Sequence, residues 1–221
     1  MKAFIITLKK IPESLKTAKQ MVEPLKRSGF NVKLFEGTYG DQAYELFRTQ
    51  GRILHPVDHN NEPTKLNRKV AGAGAMGCFY SHYRLWKKCV NLNETIFIFE
   101  DDVKFYRPYY PVHFDEVLLV ALGSWKDIHN QDIEEEPKIS PTALSVNIPC
   151  LPGAVGYAIT PNAAKKLIDE YKNTYTAADS AIRSNLVDIK VHSHLMGRAL
   201  VETDGKISLT NTKMWDSKDT S

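Results

Sequence analysis

The sequence predicts a single α/β domain, with a mostly parallel central sheet flanked by helices. Three observations carry this. Short runs of β-favouring residues alternate with amphipathic helical segments along the chain, the pattern of a sheet layered between helices. Residues 95–99, TIFIF, form a continuous apolar run of the kind found in a central strand covered on both faces. The chain has 221 residues, 43% hydrophobic and 25% charged, enough for a sizeable core in one domain.

The elements follow in order. Residues 2–8, KAFIITL, read as a strand, and 30–38, FNVKLFEGT, as a second. Between them, Pro12 to Ser28 is amphipathic, with Leu15, Ala18, Val22 and Leu25 at helical spacing and Gly29 as its stop. Asp41 to Gln50 and Ala75 to Val90 read as helices, separated by a polar loop from Gly51 to Lys69. A strand is expected at Ala121 to Ile128, then an irregular polar stretch over 129–148. VGYAIT (155–160) is a strand, and Pro161 opens a helix running to about Tyr171. Asp179 to Leu186 is predicted helical, and IKVHSH and RALVET are short strands. The residues from 213 to 221 form a polar tail.

Composition removes some function classes. The formal charge is +3, from 29 basic and 26 acidic residues, which points neither to nucleic acid nor to an anionic membrane. No run approaches the length of a membrane span, so no integral membrane segment is expected. The apolar run near the N-terminus is closed by Lys9 and Lys10 after about six residues, too short for a signal peptide, and reads as a first buried strand. Cys78 and Cys89 lie eleven residues apart on one helix, separated by roughly 16 Å of rise, beyond disulfide reach. With Cys150 as a lone third cysteine, a reduced, cytoplasmic protein is the expectation, a peripheral place at the inner membrane staying open.

The apolar run of TIFIFEDD ends on Glu100, Asp101 and Asp102. In open α/β sheets ligands gather beyond the carboxyl ends of the strands, so these carboxylates are expected at the lip of a crevice. Strand alternation lets Glu100 and Asp102 point the same way, and hard oxygen ligands of that kind suit Mg²⁺ or Mn²⁺. A solvated acidic turn is the plainer alternative.

Together with the preceding segment AGAGAMGCFYSHYRLWKKCV, this block resembles glycosyltransferase family 25, the lipooligosaccharide galactosyltransferase-like enzymes. The matching residues are Gly77 and Cys78, Ser81 and His82, and Glu100–Asp102 as a DXD-like motif. IITL, ending at Thr7 and Leu8 with basic and Ser/Leu residues after it, resembles the family's nucleotide-binding opening. GAVGYAITPNAAKKLI (153–168), with Gly153 and Tyr157, resembles its Gly-x-x-x-Tyr strand and following helix. Asp179 falls where such enzymes carry an acidic residue near the acceptor.

The resemblance implies a GT-A-like (Rossmann-like) fold, a UDP-sugar donor carrying galactose or a similar sugar or a pentose, and a Mn²⁺ or Mg²⁺ cofactor. It implies a nucleotide-sugar half over about 1–104 and an acceptor half over about 105–212. Asp102 is the expected direct metal ligand. Glu100 is expected to bind metal through water or touch the ribose, and Asp101 to enter structural hydrogen bonds. His194 is the candidate third ligand, with His192 beside it. Asp179 is the candidate base for the acceptor hydroxyl. Its place at a helix N-terminus is expected to lower its pKa, and an ordinary N-cap is its alternative role. His82 is expected to shape the site by anchoring the acidic strand. Gly74, with Gly72 and Gly77, is read as allowing close backbone approach to the nucleotide or as a loop hinge. Pro152-Gly153 is read as letting backbone pass close to the sugar. Lys65, Arg68 and Lys69 are read as a basic run able to meet a diphosphate, or as a solvated loop.

For the acceptor the resemblance implies a saccharide such as lipooligosaccharide. A hydroxymethylated base in phage DNA is an alternative. Where the family usually has Glu before Gly-Cys, this chain has Met76, which supports an inactive sugar-nucleotide-binding protein as a further alternative. A phosphoryl-transfer enzyme or nuclease would need more carboxylates, for which Asp127, Asp179 and Asp204 are available.

Overall fold

The first strand, β1 (Lys2–Thr7), is buried along most of its length and sits inside the sheet rather than at its rim. The computed structural model of the chain describes residues 1–55, 72–123 and 140–200. After β1, Pro12 takes the first helical position of α1 (Pro12–Arg27), where its missing N–H has no partner to lose. Ser14, Ala18, Met21 and Leu25 form the buried stripe of this helix. Gly29, at φ +82°, turns the chain into β2 (Asn31–Glu36). α2 (Gly40–Gln50) ends on Gly51 at φ +63°, and β3 (Ile53–Leu54) follows. α3 (Ala73–Leu92) leads into β4 (Ile96–Phe99), then β5 (Val103–Phe105), β6 (Val117–Leu122) and β7 (Ala143–Ser145). β8 (Gly156–Ile159) precedes α4 (Pro161–Glu170), whose Thr160 N-cap side chain accepts from the Ala163 N–H. β9 (Thr174–Tyr175), the short α5 (Ala178–Ala181), β10 (Ile189–His192) and β11 (Gly197–Ala199) complete the described order.

The sheet order is β2-β1-β4-β8-β6-β10-β7, with β11 pairing both β6 and β5. The expectation of a mostly parallel sheet is corrected, because the sheet is mixed. β2, β1 and β4 are parallel neighbours, as are β6 with β10 and β6 with β11. β8 runs antiparallel to both β4 and β6, β7 to β10, and β5 to β11. Alternation of apolar and amphipathic segments reports that strands and helices occur, not which way a strand enters the sheet.

Three element expectations shift. The strand placed at Ala121–Ile128 starts earlier, at Val117, and ends at Leu122, while residues 124–128 lie outside the described residues. VLLVAL is buried at every position, so its continuous apolar run, not alternation, is the signal. The helix expected over Asp179–Leu186 stops at Ala181. There the Leu151 N–H donates to Ile182 O (2.8 Å) and the Ser184 N–H to Pro149 O (2.9 Å), so residues 149–151 compete for the backbone groups a longer helix would use. The expected irregular stretch over 129–148 holds β7 in its described part. Lys65, Arg68, Lys69, Asp127, Asp204 and the tail 213–221 lie outside the described residues.

Both faces of β4 are covered. Ile96 and Ile98 join Phe79, Trp86, Leu119, Tyr157 and Leu167 under α2, α3 and α4. Phe97 and Phe99 join Ala18, Leu25, Phe30 and Leu118 under α1. This sets the place of the acidic residues. The parallel strands β1, β2 and β4 all end on one edge, β6 ends there too, and antiparallel β8 begins there.

Candidate active site

That edge gathers Thr7, Gly37, Glu100–Asp102 and Gly123 from strand ends, and Gly153–Val155 from the approach to β8. The Glu100 N–H donates to Val155 O (2.9 Å), and the Gly37 N–H to Thr7 O (2.9 Å). α3 runs back along β4, so its N-terminus, with Gly74 in its first turn, lies by topology at the same edge.

The three carboxylates have separate environments. Strand pairing ends at Phe99 and residues 101–102 form a turn, so strand alternation does not govern their directions. Glu100 faces α3. Its Oε1 lies 3.3 Å from Cys78 Sγ and 3.3 Å from His82 Nε2. Cys78 and His82 are one helical turn apart, which puts them on one side of α3. Behind them the Trp86 Nε1–H donates to Tyr157 Oη (2.9 Å), and Tyr157 Oη lies 2.8 Å from His82 Nδ1. A carboxylate only accepts, so the imidazole proton is assigned to Nε2, facing Glu100; Nδ1 then accepts the tyrosine proton, while Tyr157 Oη accepts from Trp86. Burial first, then the negative charge of Glu100, pushes the Cys78 thiol well above its ordinary pKa.

Asp101 turns the other way and accepts from the Ser14 hydroxyl on α1. The same Ser14 oxygen receives the Leu8 N–H (2.8 Å) and sits 3.1 Å from Thr7 Oγ1. Burial raises the Asp101 pKa to about 6, with the Ser14 bond opposing and the Glu100 charge adding. Asp102 has no such partner. Among the described residues its Oδ1 is buried without a hydrogen bond, and burial, Glu100 and Asp101 together raise its pKa to about 8. A buried carboxylate oxygen without a donor, beside two further carboxylates, fits a hard divalent cation held by oxygen.

Asp179 lies within the electrostatic reach of Glu100 and Cys78. The expectation of a lowered pKa is corrected, because burial is the largest influence and raises it, with Glu100 adding to the rise. Nor is Asp179 the N-cap. Ala177 holds that place, and the Asp179 Oδ1 accepts from the Ser180 N–H (2.8 Å) inside a helix of four residues.

The remaining candidates have structural neighbours. The Ser81 hydroxyl donates to Gly77 O (2.6 Å) and accepts from the Thr38 N–H (2.8 Å), fastening the loop after β2 onto α3. A Cβ on Gly77 would meet Thr38 O at 2.5 Å. Gly153, at φ +70°, passes its Cα 3.0 Å from the Cβ position of Gly123. His194 is buried with both ring nitrogens unpartnered among the described residues, edge-on to Tyr110 at 5.9 Å. The β5–β11 register places it beyond the far end of β5 from Asp102. His192 is committed elsewhere, donating from Nε2 to Tyr110 O (2.7 Å) and accepting the His194 N–H at Nδ1 (3.0 Å). Among the described residues, one group of three metal-ligand-type side chains lies within 4.8 Å, Cys78, His82 and Glu100, and neither Asp102 nor His194 belongs to it.

Sequence reasoning missed Ser14 and Trp86. Ser14 had a faint signal in the Ser/Leu-containing stretch after the first strand, and Trp86 had none beyond its helical spacing from His82.

The profile of glycosyltransferase family 25 (LPS biosynthesis protein) matches residues 1–182. The chain is 32% identical over 157 residues to the lipooligosaccharide biosynthesis protein lex-1 of Haemophilus influenzae, covering 62% of this chain and 48% of that protein. It is 34% identical over 177 residues to a glycosyltransferase 25 family member of Aedes aegypti, covering 76% of this chain and 28% of that protein. The chain therefore spans about half or less of the length of these curated relatives. By the extent of the profile match, the chain belongs to glycosyltransferase family 25.

Proposed function

We propose that this chain is a glycosyltransferase that moves a sugar from a UDP-sugar to an acceptor hydroxyl, using a divalent cation at Asp102 and its neighbours. One observation carries the reading: the buried, partnerless Asp102 Oδ1 at the carboxyl end of a central strand, flanked by Asp101 and Glu100. A GT-A-type use of the sheet edge is part of the same reading. The lex-1 relationship supports a saccharide acceptor of the lipooligosaccharide kind.

The roles follow from the chain's own groups. Asp102 would hold Mn²⁺ or Mg²⁺ directly, with Glu100 next to it. When bound, such a cation offsets the charge that grows on the departing diphosphate. The N-terminus of α3, whose first N–H groups lack intrahelical partners, favours the same negative charge. Trp86, Tyr157 and His82 hold Glu100 at a fixed place, and Ser14 holds Asp101. Asp179, with a raised pKa, would accept the acceptor's proton as its oxygen bonds the sugar's anomeric carbon and the bond to the diphosphate breaks. Among the described residues no helix is long and apolar enough to cross a membrane.

The test is a panel of UDP-sugars scored for UDP release, with Mn²⁺ and with EDTA. Wild type is compared with Asp102→Ala and Asp179→Asn. Release that needs both metal and Asp102 is expected, with Asp179→Asn losing turnover while retaining UDP binding. Failure to bind any UDP-sugar would overturn the reading.

A further inference from the structure

Past Asp102 the chain builds an unusual face. Lys104 on β5 and Arg198 on β11 are direct partners in an antiparallel ladder, so both side chains leave the same side of it. Like charges directly opposite each other are destabilising. Here both reach one ring: Lys104 Nζ lies 5.1 Å and Arg198 Cζ 5.6 Å from the centroid of Tyr106, which is 37% exposed. Among the described residues neither cation pairs with a carboxylate, and Arg198 Nε is buried without an acceptor. The ladder joins directly to the acidic turn. The Leu200 N–H donates to Asp102 O (2.6 Å), and Lys104 is two residues from Asp102, about 7 Å along an extended chain.

We propose that Lys104, Arg198 and Tyr106 form an acceptor subsite for an anionic sugar, one carrying a phosphate. This deepens the transferase reading and rests on it. A phosphate between the two cations offsets their repulsion and gives the Nη groups of the guanidinium a charge-assisted acceptor. Tyr106, part of whose side chain is exposed, offers a ring against which a sugar-sized ligand can pack, while the anion fixes orientation. The nearby donor diphosphate is the other source of phosphate chemistry, and the test separates the two.

The full chain is titrated with glucose 6-phosphate, glucose, inorganic phosphate and UDP, followed by amide NMR shifts. Wild type is compared with Lys104→Gln, Arg198→Gln and Arg198→Lys, each checked for an unchanged melting temperature. Glucose 6-phosphate is expected to bind about tenfold or more tightly than glucose and to lose about tenfold with either Gln substitution. Arg198→Lys is expected to recover only part of this, and UDP affinity to stay unchanged. Equal binding of glucose and glucose 6-phosphate overturns the subsite. Binding of inorganic phosphate as tight as glucose 6-phosphate removes the sugar from it. A loss of UDP affinity in the Gln variants assigns the face to the donor instead. UDP binding by wild type reports on the transferase reading separately, so either idea can fail alone.

Discussion

His82 Nε2 lies 3.3 Å from Glu100 Oε1, joining the middle of a buried helix to the first residue past the central strand. The bond matters through what stands behind it. Trp86 donates to Tyr157, Tyr157 donates to His82, and His82 then has its proton left for the carboxylate. Replacing His82 by Ala strands both Tyr157 and one side of Glu100. A loss of about 1–3 kcal/mol is expected for the buried hydroxyl alone. Tyr157→Phe is expected to lose stability too, because it leaves Trp86 Nε1 and His82 Nδ1 unpartnered. Denaturant melts check both, and an unchanged midpoint in either variant would remove the relay.

Asp102 gives a pH signature. Its folded-state pKa, about 8, stands above the ordinary aspartate value of 3.8, so between these pH values the folded chain holds a proton the unfolded chain has released. Its contribution to stability therefore falls as pH rises through that window, and Asp101 acts with the same sign up to about 6. In the cation-free protein, Asp102→Asn should raise the melting temperature more at pH 8 than at pH 5. Each kcal/mol relieved corresponds to about 2–4 °C in a chain of this size. An equal gain at both pH values would contradict the assignment. Mn²⁺ should stabilise wild type increasingly as pH rises, and Asp102→Asn much less.

Glycine substitutions separate close packing from backbone freedom. In Gly77→Ala the new carbon would meet Thr38 O at 2.5 Å, a backbone atom that cannot swing away. A cost of about 1–3 kcal/mol is expected, with loosening of the loop after β2. Gly29→Ala meets nothing within 4 Å, and its cost comes from φ +82° alone. Melting curves and hydrogen exchange at Thr38 distinguish them: only the Gly77 variant should expose the Thr38 amide.

None of the three cysteines is in a disulfide, and all should react slowly. Burial raises Cys89 to about 12 and Cys78 well above its ordinary value, so little thiolate exists near neutrality. Cys150 is buried as well. A thiol reagent at pH 8 should label the native chain slowly and all three sites once denaturant is added. Rapid native labelling of Cys78 would show that its contact with Glu100 opens readily.

Local patterning was readable where the physics was local. Pro12 and Gly29 bound α1, Pro161 opens α4, and the apolar run before Glu100 is a central strand because only a strand covered on both faces is apolar at every position. It failed where a partner far along the chain decided the outcome. Nothing within VGYAIT says that β8 runs against β4, and nothing within DSAIRSNL says that residues 149–151 bond the backbone after Ala181. The Asp179 pKa was misjudged for the same reason: the helix dipole is local, while burial beside Glu100 is not.

By itself the sequence determined the family block, the order of most elements, and the three carboxylates at the end of a buried strand. These follow from periodicity, turn chemistry and a motif contiguous in the chain. Only the tertiary structure decided what each carboxylate does. Glu100 is held by α3, Asp101 by Ser14 of α1, and Asp102 is buried with an oxygen free of donors. Adjacent residues in a turn point to different neighbours, and those neighbours are brought there by packing on opposite faces of one sheet.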